Sequence, residues 1–255
     1  MEKKIMSGSF SDKLQTSSAI YKEKYLAHIS IDCVVFGFHN DCLKVLLTRF
    51  EGENTWALPG GYVDKNEDII EAAKNILFRR TGATDVYLNQ FKTFGKTGRS
   101  EGFFDNYPKG LWQADRFISI GYYALIDFTT LDPKIDMFSD ACAWHDIQAL
   151  PGFTMDHGEI YNEALLQLRR DLNYKPIGYN LLPEKFTLPE LQKLYEVILD
   201  KELNRGNFYR KMKRYNILKK LDEKRKGGAH KSPDLYVFNG DEYAKALENG
   251  FQESW

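Results

Sequence analysis

A chain of 255 residues is long enough for one large domain or two of ordinary size, and 43% hydrophobic with 28% charged residues is the balance of a folded chain, which excludes a disordered one. No uncharged apolar run approaches the roughly 18 residues of a membrane span, and the start MEKKIMSGSFSDKLQTSS lacks a secretory apolar block, so a cytoplasmic protein with no membrane partner is expected. The net charge of −1 hides a division: between Lys201 and Gly240 twelve Lys or Arg stand against four Asp or Glu, an excess of eight, leaving nine negative charges for the remainder.

Residues 1–24 are polar, rich in Ser and Lys and without a sustained period, and read as an N-terminal arm with room for one short helix. From Ala27 the pattern turns to β: AHISIDCVVFGF and CLKVLLTRF flank the polar turn His39-Asn40-Asp41, which predicts a hairpin. A Pro-Gly-Gly loop then leads into a helical stretch closed by Gly82, with Ile69, Ala72, Ala73, Ile76 and Leu77 on one buried face. Strands return at VYLNQFKTFG and RFISIGYYALIDF. The Gly-rich aromatic insertion between them, Gly98 to Asp115, is expected to be a long loop near whatever the domain binds. A short strand, ACAWHDI, precedes the helical IYNEALLQLRRDL, so residues 25–172 read as an α+β sandwich. Cys33, Cys42 and Cys142 are odd in number and widely spaced, which suits reduced, structural thiols.

The two prolines of KPIGYNLLPEKF mark the entry to a second domain, 173–255. Thr187 and Glu190 form a capping box ahead of an amphipathic helix with Leu188, Leu191, Leu194, Tyr195 and Ile198 inward. A second helix is predicted from Asn204 through RGNFYRKMKRY, followed by ILKKL and LYVFN as a hairpin around a basic tip. Helix, turn, helix, hairpin is the order of a winged helix-turn-helix.

On the second helix Phe208, Met212 and Tyr215 share one face, while Arg210, Lys213 and Arg214 lie opposite, Asn207 and Tyr209 at the margins and Arg205 at the start. Such a face suits a major groove, where Arg forks to guanine, Asn pairs with adenine and Lys takes phosphate. A merely solvated helix would account for charge but would intersperse acids, and none occurs between Asn204 and Lys220. Lys224, Arg225, Lys226 and Lys231 surround Gly227-Gly228 and suit backbone or minor-groove contact; a disordered basic loop is the alternative.

Around Gly61, Glu67, Leu77 and Gly82 the sequence resembles the Nudix box, GX5EX7REUXEEXGU, with U aliphatic. The departures lie where that family holds its metal. Three glutamates on one helix face bind Mg²⁺ in Nudix hydrolases, and here those positions are Ile76, Arg79 and Arg80, with Asn75 in place of the box arginine. Arginine cannot become a ligand at any attainable pH. No catalytic residue, metal or cofactor is therefore expected, and Glu67 and Glu71 are expected to pair along the helix with Lys74, Asn75 or Arg79.

With the C-terminal segments KPIGYNLLPEKFTLPELQKLYEVILD and NRGNFYRKMKRY, the chain resembles the Nudix-related transcriptional regulators; IDCVVFGF and FTLPELQKLYE look most like their arabinose-responsive, sugar-sensing branch. The resemblance implies a Nudix-like α/β/α sandwich before the winged helix, a homodimer on double-stranded operator DNA, and control of a sugar-catabolic operon by a small sugar-type effector. Candidate effector residues are Arg49, Trp56, Lys96, Arg116, Asp156 and His157, an aromatic platform with polar groups; each also has a plain structural role open to it, as core, strand end or helix start. The rival readings are a Nudix-type hydrolase of nucleoside diphosphate derivatives such as ADP-ribose, and an adaptor that engages a protein through the insertion.

Overall fold

The computed structural model describes residues 8–84, 86–127, 133–225 and 232–250. The chain divides into two compact units, residues 1–37 with 44–165, and residues 38–43 with 166–255.

The first unit is built on a mixed sheet. Its strands are β1 (Tyr25–His39), β2 (Cys42–Phe50), β3 (Trp56–Ala57), β4 (Gly60–Asp64), β5 (Tyr87–Phe94), β6 (Ile118–Leu125) and β7 (Ser139–Asp146). They run in the order β3-β2-β1-β6-β5, with β4 added to β1 and β7 to β2. Only β1 and β6 pair in parallel among the described registers, from Ile29 opposite Ile118 to Phe36 opposite Leu125. The turn between β1 and β2 places Asn40 and Asp41 at φ of 49 and 59, the left-handed pair that a two-residue hairpin needs.

The apolar run of β1 is buried on both faces. Ile31, Cys33 and Val35 meet Ala72, Ala73, Ile76 and Leu77 of α2 (Ile69–Thr81), while Phe36 packs against Tyr161 of α3 (His157–Tyr174) at 6.1 Å between ring centroids. Helices on both faces of a sheet make the expected α+β sandwich. Gly82 ends α2 at φ 75 with its N–H on the Phe78 carbonyl, as its position predicted. Ile69 departs from expectation: at the first helical position it lies beyond the buried stripe and is 39% exposed. The three cysteines are unbridged, Cys33 buried and the other two half-buried.

The N-terminal arm is largely a helix. α1 (Phe10–Lys24) begins with a reciprocal Ser9–Asp12 capping box and buries Phe10, Leu14 and Ser17. Its partner is the insertion, which is not an open loop. Two 3-10 turns, Glu101–Phe104 and Trp112–Ala114, order it, and Leu111 joins Phe10 and Leu14 in a second apolar cluster with Phe50, Phe103 and Phe138 at its edge.

The second unit carries α4 (Leu188–Leu199), α5 (Arg205–Arg214), the hairpin β8 (Leu218–Lys224) and β9 (Asp234–Phe238), and α6 (Gly240–Asn249). The Thr187–Glu190 capping box forms as predicted. The turn between α4 and α5 is held by Glu196, which accepts from the Leu203 N–H at 3.0 Å, and by Gln192, which donates to the Leu203 carbonyl at 2.8 Å. Phe186 and Tyr236 exchange backbone hydrogen bonds of 3.0 and 2.7 Å, an isolated bridge that ties the segment before α4 to the hairpin. Tyr195 and Phe208 pack edge-on at 5.4 Å, joining the two helices. This is the winged-helix arrangement.

Candidate functional site

Within the first unit, α1, α2, the β3–β4 loop and the insertion enclose a cavity of about 380 Å³. One wall is aromatic, with Tyr21, Phe50, Tyr62, Phe103 and Phe138 among its rings. Burial, the largest influence, pushes the Tyr62 phenol well above its ordinary range, so it stays a neutral donor there.

The floor is an ionic network. Arg99, its side chain 4% exposed, donates from Nε and Nη2 to the two oxygens of Asp156 at 2.7 and 2.8 Å, and from Nη2 to Asp32 at 3.3 Å. Asp32 also accepts from the Ser119 hydroxyl at 2.5 Å. His157, at the start of α3, accepts the Leu58 N–H on Nδ1 at 2.8 Å, leaving Nε2 3.8 Å from Asp32. Burial drives its pKa down despite the nearby Asp32 and Asp156 carboxylates, and Arg99 adds to the depression, so the ring is neutral. A buried Arg between two carboxylates commits these charges to one another.

The Nudix metal site does not fit these residues. Ile76 packs against Gly61, where an added Cβ would sit 3.0 Å from its side chain. Arg79 and Arg80 occupy the next two glutamate positions and both line the cavity. Glu67 accepts from Asn75, and Glu71 pairs with Lys74 at 2.7 Å, as expected along the helix. Among the described residues no group of three or more His, Cys, Asp or Glu is placed to hold an ion.

Of the six effector residues expected from sequence, the cavity wall contains His157 alone. Asp156 stands one bond behind it, through Arg99. Arg49 and Trp56 face each other across β2 and β3, with the guanidinium 5.5 Å from the indole ring and bonded to Asp140 at 2.8 Å. Arg116 donates to the Gly95 carbonyl at 2.7 Å, and Lys96 is exposed. None of these four lines the cavity. Arg99 and Asp32 were not singled out from the sequence, whereas Arg79 and Arg80 were, as the residues at the Nudix glutamate positions. A signal existed for Asp32, a lone charge inside an apolar strand; Arg99 sits in the insertion with nothing in its neighbourhood to mark it.

In the second unit, α5 buries Phe208 and Met212 and leaves Arg205, Asn207, Arg210, Lys213 and Arg214 exposed. Asn204 caps the helix by accepting the Asn207 N–H at 3.0 Å. Arg210 donates to the Asn207 side-chain oxygen at 2.7 Å, so the pair is prearranged on the outer face. Two expected contacts differ. The Tyr209 hydroxyl is buried beneath the helix, with the Arg205 guanidinium 5.2 Å from its ring, because the marginal position turns inward toward Phe208. Arg225 is bound by both oxygens of Glu190 at 2.7 Å, since the end of β8 runs beside the α4 cap. Lys224 is exposed, and Lys226 and Lys231 lie outside the described residues.

The NUDIX domain model matches residues 26–164, more than half of the chain. The chain belongs to the Nudix family. Behind its Nudix domain, residues 178–238 match the model described as the NrtR DNA-binding winged helix domain. An Acinetobacter baylyi protein described as "ADPR responsive transcriptional repressor NtrR" is 29% identical over 222 residues, covering 84% of this chain and 83% of its own. Shewanella oneidensis NrtR, solved in complex with a 27mer DNA, superposes with a TM-score of 0.73 at 24% identity, over 89% of this chain and 99% of that one. A MutT/nudix family protein from Enterococcus faecalis gives 0.62 at 20% identity, over 89% and 93%.

The arabinose-responsive branch suggested by IDCVVFGF and FTLPELQKLYE is not supported: the curated relative is described by ADP-ribose, not by a sugar. Those two segments are a doubly buried strand of the Nudix sheet and a capped helix. Such segments report packing rather than ligand. Residues 10–24, by contrast, precede the matched Nudix region and still furnish a wall of its cavity.

Proposed function

We propose that the protein is an operator-binding transcriptional repressor whose Nudix domain senses ADP-ribose or a close nucleoside diphosphate relative. The observation that carries this reading is α5, a capped helix with a continuous basic outer face and no acid between Asn204 and Lys220, within a domain matched by the NrtR winged-helix model. The description of the Acinetobacter relative as an ADP-ribose-responsive repressor supports the effector, and the cavity's aromatic and basic walls suit a nucleoside diphosphate. Two copies on a palindromic site, spaced by about one helical turn or a multiple of it, complete the proposal. Among the described residues no carboxylate set fits Mg²⁺, which favours binding over hydrolysis.

Electrophoretic shift of the full chain on promoter DNA from its own gene neighbourhood, with and without ADP-ribose, tests the proposal. Salt-sensitive, sequence-selective binding that ADP-ribose reverses is expected. Selective binding that ADP-ribose leaves unchanged would remove the effector. Uniformly weak binding at low salt would remove the DNA function, and rapid Mg²⁺-dependent turnover of ADP-ribose would favour the hydrolase.

A further inference from the structure

We infer that the positions the Nudix glutamates would occupy hold the effector's diphosphate directly on Arg79 and Arg80, with no divalent cation between them; this rests on the effector reading above. The Arg80 residue is 6% exposed. Its Nη2 donates to Asp136, but its Nη1, equally buried, has no hydrogen-bond partner among the described residues and belongs to a side chain that lines the cavity. Asp136 has little left to offer it, since its other oxygen accepts the Phe138 N–H at 3.0 Å and the Ser139 hydroxyl at 2.7 Å. A buried cationic N–H without an acceptor is a standing vacancy for an anionic oxygen.

Arg79 stands beside it. Its Nη2 lies 3.8 Å from where a Cβ on Gly61 would be, above the loop that opens the Nudix box, and it makes no ion pair among the described residues. Glu67 and Glu71, the acids within reach along the helix, are taken by Asn75 and Lys74. Among the described residues lining the cavity, Lys24, Arg79, Arg80 and Arg99 stand against Asp32 and Asp136, with Asp156 just behind the wall; Arg99 is bound to Asp156 and Asp32, and Arg80 to Asp136. In a Mg²⁺-dependent site the protein is acidic and the metal supplies the positive charge that meets the phosphates. Here the protein supplies that charge itself, and a divalent cation placed among these guanidiniums would be repelled.

A second unsatisfied atom gives the ligand's other end its chemistry. Gln113 donates from Nε2 to the Leu14 carbonyl at 3.2 Å and the Ser17 hydroxyl at 2.7 Å, an orientation fixed because a carbonyl can only accept. Its Oε1 is thereby left as a buried acceptor without a donor, in the same cavity beneath α1. An anion with hydroxyl or amino groups on an aromatic base satisfies both, whereas a neutral pentose leaves Arg80 unmet.

Isothermal titration of the full chain with ADP-ribose, once in EDTA and once in excess Mg²⁺, decides the matter. The expected result is the same affinity within about twofold in both buffers, with Arg79→Gln weaker by about 10- to 100-fold and adenosine and ribose weaker than ADP-ribose. Arg80→Lys keeps a cation for Asp136 while shortening the second arm, and should lose about tenfold with its melting temperature retained. Binding that requires Mg²⁺, or an Arg79→Gln affinity equal to the parent's, overturns the inference while the effector reading survives. Should ADP-ribose bind in neither buffer, the effector reading falls, and inorganic pyrophosphate becomes the probe. Pyrophosphate bound in EDTA and lost in Arg79→Gln upholds the anion seat, and no binding of pyrophosphate removes it.

Discussion

Replacing Arg99 by Met tests whether the ionic network under the cavity holds the Nudix domain together. Methionine keeps the approximate length and removes the charge, leaving Asp32 and Asp156, with side chains 10% and 14% exposed, without their shared cation. Breaking a buried pair by removing one partner costs roughly 3 to 5 kcal/mol, because the remaining charge is stranded. Asp32 keeps the Ser119 hydroxyl, which puts the expected loss near the lower end, about 3 kcal/mol. For a domain of this size that corresponds to a fall of about 6 to 12 °C in melting temperature. Three of the four tryptophans, Trp56, Trp112 and Trp144, belong to the first unit, and in a Trp255→Phe background tryptophan emission during thermal unfolding follows that unit. Adding Asp156→Asn to Arg99→Met removes one stranded charge and should recover about half the loss. A single variant melting within about 2 °C of the parent, or a double variant no more stable than the single, would refute the account.

His157 gives a pH dependence of definite sign. Its folded pKa is depressed by burial, so the unfolded chain takes up the proton first; its contribution is complete above roughly 6.5 and is lost as pH falls below that toward the folded value. Urea unfolding between pH 7.5 and 5 should show this loss, and His157→Gln should reduce it, leaving the share of His145, whose pKa burial also depresses. Gly60→Ala would place a Cβ 2.8 Å from Asp32 Oδ1 and 2.9 Å from the Ile31 carbonyl. Since a backbone oxygen cannot swing aside, about 1 to 3 kcal/mol of stability should be lost in the same unfolding assay. Arg210→Ala should weaken specific operator binding by about 1 to 3 kcal/mol and random DNA much less, as measured by fluorescence anisotropy; equal losses would mean that Arg210 holds phosphate.

The winged helix was the more legible half because its signals are local. The Thr187–Glu190 box, the Asn204 cap and the Phe208/Met212 stripe each act over one or two turns of helix, and all three form. So does the loop and helix from Gly61 to Gly82, whose period and C-cap are written in consecutive residues. α1 was obscured because the box at its start uses Asp12 rather than Glu, and because its buried stripe includes Ser17, a polar residue satisfied only by Leu14 and by Gln113, which lies 96 positions on. The cavity was least legible. Asp32, Arg99 and Asp156 meet across separations of 67 and 57 residues, and no periodicity encodes such a meeting. Arg49 and Trp56 attracted notice as a cation beside an aromatic ring, which they are, but strand pairing turned that pair away from the cavity.

If the chain is the sensor proposed above, the reversal of charge at Arg79 and Arg80 bears on why it would do without the Nudix metal. A metal site that polarises a diphosphate also activates a water to cut it, so the signal is destroyed in being read. Guanidiniums hold the same oxygens yet supply no hydroxide, and the neighbouring imidazole of His157 is neutral with its acceptor nitrogen committed to the Leu58 N–H. Under the proposed function, bound ligand then persists and occupancy follows concentration. The leverage available is bounded: a ligand at 100 times its Kd stabilises the state it prefers by about 2.7 kcal/mol, and it can shift a DNA-binding equilibrium by no more than its differential affinity for the two states. A useful arginine seat is therefore a moderate one, with Kd near the ambient effector concentration. Leaving Arg80 Nη1 to be met by the ligand alone, while Nη2 stays anchored on Asp136, is an arrangement that binds the anion without remaking the fold around it.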